Sequence, residues 1–257
     1  MAVTRCLEGK TALVTGGSRN LGRAMSERLA ASGALVAVNY ARNASAAEDT
    51  IAAITARGGE AFAVRAELGQ PGADAALVEA LTHELIKWRG QSELDILVNN
   101  VGGGTYGTLA STSPAQYDEI FQNNAKTPFF LTQALLPHLT DGGRVINISS
   151  AASRLAGVDF ITYSMSKAAL DMFTRVLAKE LGPRRITVNA VLPGFNATDS
   201  NAEVLGEAEM RRQIEEMTAF GRFGEPIDIA EVVHFLASPA SRWVTGQFIE
   251  ASGGFRL

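Results

Sequence analysis

Three features of this sequence predict an α/β fold: a doubly wound parallel sheet of about seven strands with helices on both faces. Short β-rich apolar runs alternate with longer amphipathic stretches along the whole chain. Runs such as Ala12-Leu13-Val14 and Ile96-Leu97-Val98 are apolar without alternation, as in strands buried on both sides. The first run passes directly into a glycine-rich turn and then into a helical pattern.

The elements follow in order. Strand 11–15 leads through the turn into an amphipathic helix at 21–32, and strand 34–40 into a helix at 44–57. Strand 61–65 is followed by the loop 70–73 and a helix at 73–88. Strand 95–99 is followed by a helical stretch at 114–139 beginning on a proline, and strands 144–148, 187–191 and 247–250 complete the sheet. No repeat, low-complexity tract or linker interrupts the 257 residues, which read as a single domain, 1–257. After Pro193-Gly194 the pattern changes: the stretch at about 195–222 is charged and helix-prone, with Glu203, Glu207, Glu209, Arg211 and Arg212. Such an excursion at the carboxyl end of a strand is where a doubly wound sheet places a substrate lid.

Composition excludes several classes. With 46% hydrophobic and 19% charged residues and a net charge of −4, the chain lacks the basic footprint of a nucleic-acid binder. Cys6 is the single cysteine, which excludes an internal disulfide and suits a cytoplasmic protein. Residues 1–10 lack the apolar core of a secretory signal, and no run approaches the ~20 apolar residues of a membrane span. His83, His138 and His234 are far apart without ligand spacing, so no metal site is expected.

The chemistry is carried by Tyr163 and Lys167, four residues apart, with Ser150 thirteen residues upstream of the tyrosine. On a helix this spacing puts both side chains on one face. A free phenol has a pKa near ~10. An adjacent ammonium favours phenolate and brings the group into catalytic range. A serine hydroxyl can hold a carbonyl oxygen while the proton moves. Taken alone, the pair is as well read as a helix-surface contact.

The surrounding motifs decide it. The turn Gly16-Gly17-Ser18-Arg19-Asn20-Leu21-Gly22 opens the first helix, whose N-terminus suits a pyrophosphate. Thr15, Gly16 and Gly22, then Asn99-Asn100-Val101-Gly102, Asn124, the Ser150–Tyr163–Lys167 set, Pro193-Gly194 with Thr198, and Gly253-Gly254 occur in order. In these motifs the chain resembles the short-chain dehydrogenase/reductase family over essentially its whole length, and most closely its 3-oxoacyl-carrier-protein reductases. The resemblance implies a Rossmann-type fold and hydride transfer to a ketone, with Tyr163 as proton donor and Ser150 holding the oxygen. It gives Lys167 to the tyrosine and the nicotinamide ribose, and Asn124 to a water linking Lys167 to solvent. The favoured substrate is a 3-oxoacyl thioester or a related small ketone, with a polyol, a steroid or an aromatic ketone also open. Two positions depart from the family: Asn20 replaces a glycine of the turn, placing a side chain near the phosphates, and Val101 replaces alanine.

The cofactor reads as NADP(H). An NAD site needs a carboxylate after the second strand, where this chain has Asn39, Tyr40 and Arg42. Arg19 and Arg42 can instead clasp a 2′-phosphate. Glu67 and Leu68 follow the third strand at the adenine, where the family often carries aspartate. Gly102–Gly104, Arg154, Leu155, Phe160, Phe195 and the lid are expected around the ketone, with a surface role for Arg154 equally open. The helix carrying Tyr163 has an apolar stripe of Ala168, Ala169, Met172, Phe173, Val176 and Leu177, expected to be mostly core. In the family this helix and the one near 114–139 pack across subunits, which implies a homotetramer or homodimer. The alternatives are an NAD-linked alcohol or sugar dehydrogenase, and a non-catalytic dinucleotide-binding regulator.

Overall fold

A computed structural model describes residues 5–105 and 107–257. The reading of residues 1–10 as leaderless falls partly on residues 1–4, outside the described residues. The apolar runs form β1 (Thr11–Val14), β2 (Leu35–Tyr40), β3 (Glu60–Arg65), β4 (Leu94–Asn99), β5 (Leu139–Ile148), β6 (Thr187–Pro193) and β7 (Phe248–Ala251). They make one sheet in the order β3-β2-β1-β4-β5-β6-β7, with every neighbouring pair parallel.

The helices α1 (Asn20–Ala31), α2 (Ala44–Ala56) and α9 (Pro226–Ala237) cover one face of this sheet, and α3 (Ala73–Arg89), α5 (Thr127–Leu135) and α6 (Ile161–Leu181) cover the other. Strand period two decides which residue goes where. On β1, Ala12 and Val14 join Met25, Leu29 and Val233 on one side, while Leu13 joins Leu77, Leu81 and Leu131 on the other. Each fully buried leucine contributes about 1.5–3 kcal/mol relative to exposure, so a one-residue slip of β1 would misplace both cores.

Between β6 and β7 the chain makes an excursion through α7 (Ala202–Gly206) and α8 (Ala208–Glu216). None of the described helices is long and apolar enough to cross a membrane.

Three expectations need correction. The stretch 114–139 is not one helix. α4 (Pro114–Phe121), started by a Ser113–Gln116 capping box, gives way to a wide π turn at Gln122–Lys126, and α5 then stops at Leu135. Pro128 has no N–H to offer the preceding turn, which widens there. β5 also begins earlier than expected: its pairing jumps from Leu94↔Leu139 to Ile96↔Arg144 across Asp141-Gly142-Gly143. The stripe on α6 is not mostly core. Leu177 is buried, but Ala168, Met172 and Val176 are exposed, as is Met165 on the same helix.

The strand order reverses at β1, which lies between β2 and β4. The crevice at the carboxyl ends of β1 and β4 is where open α/β sheets bind ligands.

Candidate active site

A cleft of about 1170 Å³ opens at this reversal. All the residues expected to bind the dinucleotide line it, as do Ser150, Tyr163 and Lys167. Asn124 is fully buried behind its wall.

The turn after β1 sets one end. Gly16 (φ 60°) and Asn20 (φ 49°) are left-handed, a conformation that glycine adopts freely and asparagine tolerates. A Cβ on Gly22 would lie 2.0 Å from the Gly16 carbonyl oxygen, so only glycine lets α1 start this close to the turn. α1 begins with no side-chain cap and no acidic residue in its first turn. Its first N–H groups and positive end therefore remain available to an anion.

Side-chain amides fasten the strand ends around this turn. The Asn100 and Val101 N–H groups donate to Thr15 Oγ1 at 2.8 and 3.0 Å, and Asn100 Nδ2 donates to the Thr15 carbonyl at 2.8 Å. Asn39, expected at the ribose, is buried. Its Oδ1 accepts from the Gly16 N–H at 3.1 Å, and its Nδ2 donates to the Val64 and Ala66 carbonyls at 3.2 Å each. It ties β1, β2 and β3 together while lining the cleft.

The two arginines stand at the rim, each beside a carboxylate. Arg42 pairs with Glu67, and this hydrogen bond holds the Glu67 carboxyl below its ordinary pKa. Arg19 Nη1 lies 3.7 Å from Asp199 Oδ2. The Asn20 side chain, expected near the phosphates, lines the cleft and reaches across to the segment after β6. Its Nδ2 donates to Asp199 Oδ2 at 3.0 Å, and its Oδ1 accepts from the Asp199 N–H at 3.3 Å.

The other end of the cleft holds the proton-handling groups. Ser150 follows β5, and its Oγ accepts from the Ala152 N–H at 3.1 Å. Tyr163 and Lys167 share one face of α6, and Lys167 Nζ lies 5.7 Å from the Tyr163 ring centroid. Lys167 is 3% exposed and donates to the Ile148 carbonyl at 2.9 Å. Burial pushes its pKa down to about 8, against an opposing pull from Asp171 one turn further on.

Asn124 sits in the π turn. Its Oδ1 accepts from the Gly103 N–H at 3.0 Å, and its Nδ2 donates to the Gly103 and Ile120 carbonyls at 2.7 and 3.0 Å. The side chain thus clamps the glycine loop. A Cβ on Gly102 would meet Asn124 Oδ1 at 2.6 Å and Lys167 Nζ at 3.0 Å, and one on Gly104 would meet Tyr163 Cδ2 at 2.7 Å. Gly102 and Gly104 thus sit where a side chain would crowd Asn124 and Tyr163.

Gly102, Gly103, Gly104, Leu155, Phe160 and Phe195 line the cleft as expected. Arg154 does not: it is exposed and lies over the Phe248 ring, 5.5 Å from its centroid, with Arg175 at 4.8 Å. Ile214 and Met217, within the stretch expected as the lid, also line the cleft, while sequence reasoning missed Phe255 and Arg256. The Phe255 ring lies 5.2 Å from that of Phe195. A signal for these last two was present: Gly253 (φ 65°) and Gly254 (φ 77°) turn the chain back toward the cleft.

Residues 16–256 match a family model described as Enoyl-(Acyl carrier protein) reductase. The chain is similar to the solved structure of the angucycline C-6 ketoreductase LanV with bound NADP, with 47% identity, a TM-score of 0.94, and 98% of this chain and 97% of that one covered. It is also similar to LugOII, a promiscuous reductase of lugdunomycin biosynthesis that catalyses keto-reduction at C1. There the identity is 46%, the TM-score 0.94, and the coverage 98% and 99%. Versicolorin reductase 1 of Aspergillus parasiticus is 39% identical over 259 residues, covering 96% of this chain and 97% of its own.

Proposed function

We propose that this chain, which belongs to the short-chain dehydrogenase/reductase family, reduces a ketone of a fused-ring aromatic compound to the secondary alcohol with NADPH. The observation that carries this reading is one continuous cleft, in which Ser150, Tyr163 and Lys167 share the wall with the uncapped start of α1. The residues present fit the dinucleotide. The turn of Gly16 and Gly22 leaves a cradle that a side chain would fill, α1 offers free N–H groups, and Arg19 and Arg42 on the cleft wall offer cations to a 2′-phosphate. When bound, NADPH supplies the hydride.

The protein's residues supply the rest. As the ketone carbon gains the hydride, the Tyr163 hydroxyl gives its proton to the developing alkoxide, and the Ser150 hydroxyl donates a hydrogen bond to the same oxygen. The Lys167 ammonium stabilises the tyrosinate left behind, which regains its proton from solvent. Asn124 keeps the glycine loop in register with Lys167 and Tyr163. The stretch at about 195–222 acts as the substrate lid: with Phe195, Ile214 and Met217 it completes an apolar wall with Leu155, Phe160 and Phe255. This wall suits a flat, largely apolar ring system, and the reductases that the chain resembles include the angucycline C-6 ketoreductase and versicolorin reductase 1. A 3-oxoacyl thioester is the second reading, favoured by the carrier-protein description of the matching family model.

A substrate panel followed by loss of NADPH absorbance tests both. Fused-ring aromatic ketones are expected to show kcat/KM at least about tenfold above 3-oxoacyl thioesters. NADPH is expected to exceed NADH by a similar factor, with Arg19→Ala narrowing that margin. A better thioester would overturn the substrate reading, and NADH of equal efficiency would overturn the cofactor reading.

The exposed α6 residues Met165, Met172 and Val176, with Phe129 and Phe130 of α5, make an apolar surface of the kind that subunits bury. The protein is therefore expected to be a homodimer or homotetramer. Light scattering at micromolar concentration checks this, and a monomer would refute it.

A further inference from the structure

Asn20 occupies a backbone position that glycine would fill at less steric cost. Its side chain makes a two-way contact with a residue 179 positions away. The partner, Asp199, opens a short turn, Asp199–Asn201, that follows β6. That turn is itself knotted: Asn201 Nδ2 donates to the Asn196 carbonyl at 2.8 Å, and the Thr198 and Ser200 hydroxyls share a hydrogen bond at 3.0 Å. Thr198, Ser200 and Asn201 line the same cleft as Ser18, Arg19 and Asn20. The Asn20–Asp199 pair therefore joins the segment after β6 to the phosphate turn across the mouth of the cleft. The Asp199 carboxylate also faces the Arg19 guanidinium, so one side chain meets both an amide and a cation of the turn.

We propose that Asn20 and Asp199 form a latch that holds the segment after β6 over the bound dinucleotide, so that cofactor release requires this clasp to open. The proposal rests on reading the cleft as a dinucleotide site. Both residues are positioning residues: they act on the exit of the cofactor and not on the transfer of hydride or proton. A charge-assisted hydrogen bond backed by a second one, in a solvent-exposed setting, corresponds to a change of about tenfold in a rate or affinity.

The test is the dissociation of NADPH, followed by stopped-flow fluorescence with NADP⁺ as the chase, in Asn20→Gly, Asp199→Ala and the double variant. Asn20→Gly keeps the left-handed turn and removes only the amide. Each single variant is expected to release NADPH about tenfold faster, and the double variant no faster than Asp199→Ala, because Asn20 acts only through Asp199. Trypsin cleavage at Arg211 and Arg212 in the nucleotide-free protein is expected to accelerate in the same variants. Unchanged release in the single variants, or effects that multiply in the double, would overturn the latch. If the unsubstituted protein binds no NADPH, the dinucleotide reading fails, while trypsin sensitivity still decides whether Asn20 and Asp199 hold the segment.

Discussion

Tyr163→Phe lowers kcat for NADPH-dependent ketone reduction by about 10³-fold, with NADPH affinity within about threefold of the unsubstituted protein. The substitution deletes one oxygen and keeps the ring. That ring packs against the glycine loop, where even a Cβ on Gly104 would come within 2.7 Å of Tyr163 Cδ2, so a phenyl group retains the local packing. What disappears is the proton for the alkoxide. Ser150 remains to donate a hydrogen bond but has no base or ammonium of its own to drive full transfer. The split between kcat and cofactor affinity, measured by steady-state kinetics and NADPH titration, separates lost chemistry from a damaged fold. Near-normal turnover in this variant would remove Tyr163 from the mechanism.

Lys167→Met is expected to cut turnover by about 10²-fold or more and to stabilise the protein at neutral pH. Both effects come from one fact: an ammonium is buried at 3% exposure and its pKa falls from 10.5 to about 8. A depressed lysine pKa means that the unfolded chain binds more protons than the folded one between those two values. Below about pH 8 the buried charge costs its full penalty, and the cost is relieved as pH rises from about 8 to 10.5. Methionine removes that penalty but leaves the Ile148 carbonyl without its Lys167 donor, so the expected net gain is about 1–2 kcal/mol. Thermal melts should show the variant above the parent at pH 7 and the gap closing by pH 10. The same titration predicts that kcat/KM for reduction in the parent falls above about pH 8, as Lys167 loses its proton. A melting difference that did not change with pH would place the cost elsewhere than in the buried charge.

Much of this was legible in the residues because it depends on local rules. The alternation of apolar runs and amphipathic stretches gave seven strands, since each strand and helix advertises its own period. The Tyr163–Lys167 spacing gave a shared helix face for the same reason. The glycine turn was readable because Gly16 and Gly22 permit geometry that other residues forbid. What stayed hidden depends on partners distant in the chain. Nothing near Asn20 announces Asp199, and nothing near Asn39 shows that its amide is taken up by β1 and β3. Arg154 could be read as a cleft or a surface residue, and its contact with the distant Phe248 ring, which puts it at the surface, has no local signal. The α6 stripe looked like core because periodicity reports an apolar face, not what covers it. Pro128 was the visible warning that the stretch 114–139 would break, and a long helical pattern masked it.

The central position of β1 has a consequence for how the chain folds. One edge of β1 is completed by β2 soon after it, but the other waits for β4, and the Thr11 N–H finds its partner in Asp95, 84 positions further along the chain. Such long loop closures slow folding. During synthesis the apolar edge of β1 stays unpaired until the chain past Asn99 has emerged, exposing the nascent protein to mispairing and aggregation. The reversal of strand order that creates the ligand crevice thus also imposes a long-range closure on its assembly.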